Sequence, residues 1–247
     1  MTNTTLPLSG SPAGARPSGV PGAPAGPVPL VCIGGGEHAR VVIEAALSRP
    51  DLFTLLGFID SKPCAPTLQR FGVPRLGNDE HGLRLLAEVT PPDFVLGVGA
   101  VGGSGAREEV LKRFFEAKAR FRAVVHARAY VATSATVDDG VFVAAGAIVN
   151  TGAHLGIHVV VNTGAIIEHD VSLGAFSQVG PGAVLGGGVV LEPYAYVGLG
   201  ARVRDHVRIG ERAVVGMGAV VTRSVPTGQV VVGVPAAPKA AHLKARP

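Results

Sequence analysis

The sequence predicts an α/β domain followed by a parallel coil of short strands built from six-residue repeats. Three observations point there. Composition favours tight winding: 35 Gly and 19 Pro accompany 47 % hydrophobic residues, with no Trp and 5 % aromatics. An unbroken six-residue period runs through the second half. Ahead of it, residues 30–124 alternate apolar strands, glycine turns and amphipathic helices.

The composition also excludes classes. A chain this apolar (mean hydropathy +0.38) is not disordered throughout. So much Gly weakens a helical bundle, and Gly does not recur every third residue as in collagen. Residues 1–29 hold seven Pro and five Gly and read as a disordered tail. The net charge of +4 sits in the two tails: residues 30–124 carry 12 bases and 11 acids, and residues 125–233 carry 6 and 7. No basic stripe for nucleic acid is visible. The uncharged stretches 141–167 and 171–191 are broken by Gly and keep the six-residue period, unlike a membrane span. With no apolar leader, and with Cys32 and Cys64 in no metal or disulfide spacing, a cytoplasmic protein with reduced thiols is expected.

In residues 30–124, Leu30–Ile33 reads as a strand and Gly34-Gly35-Gly36 as a turn. A helix over Glu37–Leu47 follows, with a stripe at Val41, Val42, Ala45 and Ala46. Phe53–Ile59 is a second strand ending at Asp60, and Phe94–Val98 a third. A glycine turn (Gly99, Gly102, Gly103, Gly105) and a helix over Arg107–Arg120 come next. Strand, glycine turn, helix, strand and acid is the order of a Rossmann-like half. The turn can bring phosphate to backbone N–H groups at a helix N-terminus. The chain is too short for a full dinucleotide fold beside the coil, so nicotinamide chemistry is not expected.

The repeat runs every six residues from Val131 to Val221, and all sixteen positions are Val, Leu or Ile. Four residues further on each time, from Ala135 to Val225, all sixteen are small. Each hexapeptide makes one side of a triangle with both residues pointing inward. Three make a turn of about 18 residues, and sixteen give about five turns. No insertion breaks the register, so no long loop should leave the coil.

One stretch carries chemistry: Asn162-Thr163-Gly164-Ala165-Ile166-Ile167-Glu168-His169-Asp170. His169 falls two residues past an interior position, so it should face outward near a corner. Flanking acids make an imidazole more basic and can orient it. Such a group can take a proton from an amine or hydroxyl attacking a thioester. His154 and His158 are four apart, but with His169 they occupy different hexapeptide positions, against a zinc site within one chain. His126 and His206 read as surface or packing residues. Tyr194 and Tyr196 read as one coil side at a subunit contact.

The repeat resembles that of left-handed parallel β-helix acyltransferases, and the hand is implied by that resemblance. The Asn162–Asp170 stretch and the turn Gly34-Gly35-Gly36-Glu37-His38 resemble the sialic-acid O-acetyltransferase family, which includes bacillosamine- and perosamine-type nucleotide-sugar N-acetyltransferases. The likeness covers about residues 30–236. It implies an acetyl-CoA-dependent enzyme acting on the 4-amino group of a nucleotide-linked amino-deoxy sugar (UDP-, GDP- or dTDP-). It implies homotrimers with active sites between subunits, no metal and no acyl-enzyme. By the same matching, His169 is the general base and Asp170 its support. Gly36, Glu37, His38, Asp60, Ser61 and Gly99 hold the nucleotide sugar. Gln178, Leu199 and Met217 contact the coenzyme, and the Gly187 N–H meets the thioester oxyanion.

Two positions depart from the family. Gln178 stands where some members carry a histidine. The terminal signature Gly233-Val234-Pro235-Ala236 continues with Ala237 instead of Lys. The expected division is a tail over 1–29, a nucleotide-sugar domain over 30–124, the β-helix over 125–233 and a tail near the coenzyme over 234–247. Two rivals remain: an O-acetyltransferase on sialic acid or a related sugar, and a non-catalytic trimeric scaffold.

Overall fold

A computed structural model describes residues 26–62, 70–99 and 105–239. Cys64, Gly102, Gly103, most of the N-terminal tail and the end of the C-terminal tail lie outside the described residues.

The first unit is a four-stranded parallel sheet in the order Arg75–Gly77 (β3), Phe53–Ile59 (β2), Val28–Ile33 (β1) and Asp93–Leu96 (β4). Strand β1 (Val28–Ile33) begins inside the segment read as tail. It is followed by α1 (Glu37–Leu47) and β2 (Phe53–Ile59), at the bounds expected. The apolar stripe of α1 is Ala39, Val42, Ile43, Ala45 and Ala46. Val41, expected within it, is 37 % exposed, because helical spacing from Ala39 and Ala46 selects Val42 and Ile43. The sequence reading missed β3 (Arg75–Gly77) and α2 (Asp79–Leu85), both too short for a periodic signal. Asn78 caps α2, its side chain accepting the His81 N–H at 3.1 Å.

Strand β4 is Asp93–Leu96, shorter than the expected Phe94–Val98. Helix α3 is Gly105–Glu116 and stops before Arg120. Lys118 adopts a φ of 58°, the Ala119 N–H bonds the Phe114 carbonyl and the Lys118 N–H bonds that of Phe115. That is a Schellman ending. The buried Asp93 then pairs with Arg120 and Arg122, fixing the lead into the coil.

The second unit is a left-handed parallel β-helix. Two-residue strands pair in parallel with strands 18 positions away, as in Ile148, Ile166 and Val184. From Val143 to Val221 every aliphatic position of the repeat is buried, and so is every small position from Ala135 to Val225. Val131 and Val137 are only partly buried, since no coil lies beneath them. The 18-residue register ends at the top, where Val214 pairs with Val230. The chain then folds back, Val231 and Val232 pairing antiparallel with Pro238 and Ala237.

One corner of the triangle docks the first unit. His158, Phe176, Tyr194 and Arg212 occupy it at 18-residue intervals, all with φ between 55° and 63°. The His158 and Phe176 rings stack, as do those of Phe176 and Tyr194, and the Arg212 guanidinium lies 4.2 Å from the Tyr194 ring centre. Phe115 and Phe121 pack edge-on against His158, and Arg212 pairs with Glu108 of α3. Tyr194 therefore serves a contact within the chain, where the sequence suggested one between subunits. Its place in the ladder depends on α3, which the repeat does not encode.

Candidate active site

The strand Ile166–Ile167 ends at a second corner, where Glu168, His169 and Asp170 turn the chain toward Ser172–Leu173. The Asp170 carboxylate lies 3.0 Å from His169 Nδ1. That bond, with the Glu168 charge adding, raises the imidazole above its usual range. Glu168 accepts from the Asn150 side-chain amide (3.2 Å) and from the His169 backbone N–H (3.3 Å), bracing the corner. His169 Nε2 is left for chemistry. Asp170 sits at a φ of 58°, which Asp tolerates better than most side chains.

Glycines make room for this pair from the neighbouring coils. A Cβ at residue 152, one coil below, would come 2.5 Å from Asp170 Oδ1. A Cβ at residue 187, one coil above, would fall on His169 Nε2.

A second feature lies where the first unit meets the coil. A cavity of about 250 Å³ is lined by His38, Gly99, Asn162, Gln178, Gly180 and Tyr196, among others. The glycine turn stands beside it. A Cβ on Gly99 would come 3.1 Å from that of His38, and one on Gly34 would come 3.0 Å from Val98. Gly34 also holds a φ of 102°, which strains any other residue. Gly36 caps α1 in extended conformation, and the exposed Glu37 pairs with Arg40 at 3.5 Å. His38 packs edge-on against Phe142, and its buried Nε2 has no hydrogen-bond partner among the described residues. Burial, and secondarily the Arg107 charge, lower its pKa to about 4, so the ring is neutral at ordinary pH.

Asp60, expected beside the nucleotide, is anchored within the glycine turn. Its two oxygens accept the backbone N–H groups of Gly35 (2.7 Å) and Lys62 (2.8 Å), and its carbonyl accepts two bonds from Arg75. It shapes the turn from beneath. Ser61 is exposed beside it.

Comparison with known proteins decides the class. The profile of the PglD N-terminal domain matches residues 29–114. A perosamine N-acetyltransferase from Caulobacter crescentus, seen with CoA and GDP-perosamine, is 34 % identical with a TM-score of 0.75. The match covers 85 % of this chain and 96 % of that one. The acetyltransferase domain of PglB from Neisseria gonorrhoeae, in complex with acetyl coenzyme A, is 30 % identical over 87 % of this chain and 100 % of that one, with a TM-score of 0.75. WeeI from Acinetobacter baumannii is 25 % identical over 85 % and 99 %, with a TM-score of 0.71. No curated protein matches at a significant level. The chain belongs to the hexapeptide-repeat sugar N-acetyltransferases.

The acetyltransferase fold brings some predicted residues together and separates others. His38, Gly99 and Gln178 share the cavity, so Gln178 stands with residues expected to hold the sugar nucleotide. Leu199 and Met217 lie on adjacent coils at the third corner, 56 % and 80 % exposed, joined by the Gly218 N–H bond to the Leu199 carbonyl. Gly187 stands by His169. The face carrying the cavity is the eight-stranded sheet, whereas His169 turns the corner between the six- and five-stranded sheets. Within one chain, the base and the cavity therefore occupy opposite sides of the triangle.

The other histidines have separate places. His154 pairs with Asp138 at 3.2 Å on the five-stranded face, and His158 is buried in the docking corner. Among the described residues no group of three His, Cys, Asp or Glu is arranged to hold a metal, and no helix is long and apolar enough to cross a membrane. Sequence reasoning missed Tyr196 as a cavity residue and Arg107 as a buried one. Arg107 carries no sequence signal, since an arginine in an amphipathic helix looks solvated.

Proposed function

We propose that this acetyltransferase moves the acetyl group of acetyl-CoA to the 4-amino group of a nucleotide-linked amino-deoxy sugar. The observation that carries the reading is the His169–Asp170 pair, with Nε2 facing the space that Gly187 leaves open. The amine lone pair attacks the thioester carbonyl carbon while Nε2 accepts the amine proton. The C–S bond then breaks, and the departing thiolate takes the proton back from His169. The products are the acetamido sugar and CoA. The Gly187 N–H is the candidate donor to the carbonyl oxygen as it gains charge.

The nucleotide sugar occupies the cavity at His38 and Gly99, with its diphosphate on the glycine turn at the α1 N-terminus. A neutral His38 offers one donor and one acceptor there. The pantetheine arm lies along Leu199 and Met217 and reaches Gln178. The opposed placement of base and cavity supports a homotrimer in which the His169 corner of one subunit faces the cavity of the next. An outward stripe of Tyr130, Ile148, Ile166 and Val184 on the six-stranded face supplies apolar surface for that contact. Both substrates place the reaction in the cytoplasm.

The test is release of CoA thiol from acetyl-CoA with a panel of UDP-, GDP- and dTDP-linked 4-amino sugars and free sialic acid. Turnover with one nucleotide amino sugar is expected. Release with sialic acid alone would replace the amine by a hydroxyl acceptor. No release with any acceptor, and no acetyl-CoA binding, would leave a scaffold.

A further inference from the structure

Arg107 stands near the start of α3 and is 4 % exposed. A buried guanidinium is costly unless its charge or its donors are matched. Among the described residues no carboxylate pairs with it. It reaches two backbone carbonyls from different units instead. Nη1 donates to Val98 at 2.8 Å, and Nη2 donates to His158 at 3.1 Å.

Each carbonyl has a distinct position. Val98 directly precedes Gly99 of the cavity, and its side chain meets the Gly34 turn. His158 belongs to the docking corner of the coil. The cavity is bounded on one side by His38 and Gly99 of the first unit and on the other by Asn162, Gln178 and Tyr196 of the coil. The Arg107 fork thus ties together the two walls of the cavity, from behind.

We propose that Arg107 is a positioning residue that clasps the turn after β4 to the coil and so sets the gap in which the nucleotide sugar binds. This rests on the proposed function. A guanidinium suits the task because its rigid fork spans two carbonyls at once, whereas an ammonium is a point charge on a flexible stem. Acetyl-CoA, placed on Leu199, Met217 and Gln178, contacts the coil alone, whose own strand pairing holds these residues without the clasp, so it should not sense the loss.

The test compares Arg107→Met and Arg107→Lys with the unaltered protein, folding being checked by circular dichroism. KM for the nucleotide amino sugar is expected to rise about tenfold or more in the Met variant, the loss of two charge-assisted hydrogen bonds. The Lys variant should fall between. kcat should stay within a fewfold and the acetyl-CoA Kd should not move. An unchanged KM, or a fall in kcat alone, overturns the proposal. If the Met variant does not fold, the Lys variant decides: a raised KM with unchanged acetyl-CoA affinity supports the clasp, and an unaltered KM refutes it. If the unaltered protein acetylates no nucleotide sugar, the proposed function fails, and amide hydrogen exchange over residues 94–99 still tests the clasp. Faster exchange in the variants supports it, and equal exchange overturns it.

Discussion

Gly187 lies one coil above His169, and a Cβ at position 187 would fall on the imidazole Nε2 that Asp170 leaves free. The coil repeat of 18 residues stacks these two positions. Gly187 is not among the glycines with positive φ, so its backbone suits alanine. Gly187→Ala should therefore fold normally and push the ring from its place. We expect kcat to fall by on the order of 10²-fold, the effect of a misplacement near 1 Å, with an unchanged melting temperature. Steady-state kinetics with thermal unfolding checks both.

The His169–Asp170 bond sets a pH dependence. The base works only when neutral, and Asp170 raises its pKa above the usual imidazole value. kcat should rise with pH through that raised pKa and level off above it. Asp170→Asn removes the cause of the increase, so the rising limb should move to lower pH, with a plateau roughly tenfold or more below the original. A limb that stays in place would assign the titration to another group.

Coil stability should depend on volume at the interior positions. Ile167 is fully buried, and Ile167→Ala should cost about 2–5 kcal/mol. Ala183 is equally buried at a small position, and Ala183→Leu should cost about 1–3 kcal/mol through overpacking. Exposed Thr136 on the five-stranded face should tolerate alanine within about 0.5 kcal/mol. Denaturant unfolding of the three variants separates these cases.

The coil was legible because its period is local: the inward set from Val143 to Val221 follows from counting by six. The His169 corner was legible for the same reason, since register alone turns it outward and puts Gly187 one coil away. What register cannot show is which corner meets another unit. Tyr194 looked like subunit surface because its partners, Phe176, Arg212 and through it Glu108 of α3, meet only when the units dock. The Asp60 bond to the Gly35 N–H was likewise out of reach of the sequence, because it spans 25 residues. Arg107 was silent because its acceptors are backbone carbonyls, which no side-chain pattern marks.

The opposed placement of His169 and the cavity predicts complementation between inactive subunits. His169→Ala removes the base, and Gly99→Leu fills the cavity beside His38. Each variant alone should be inactive. Mixed and reassembled in equal amounts, they should recover about one quarter of the original activity, the share of sites pairing an intact corner with an intact cavity in a cyclic assembly. No recovery would mean that each chain forms its own site.

The most direct measurement is turnover of His169→Ala beside the unaltered protein, by CoA thiol release at saturating acetyl-CoA and nucleotide amino sugar, with both affinities measured by calorimetry. Direct attack assisted by His169 requires kcat to fall by about 10²–10⁴-fold while both substrates bind as before. Undiminished turnover in the variant would contradict it and remove His169 from the chemistry.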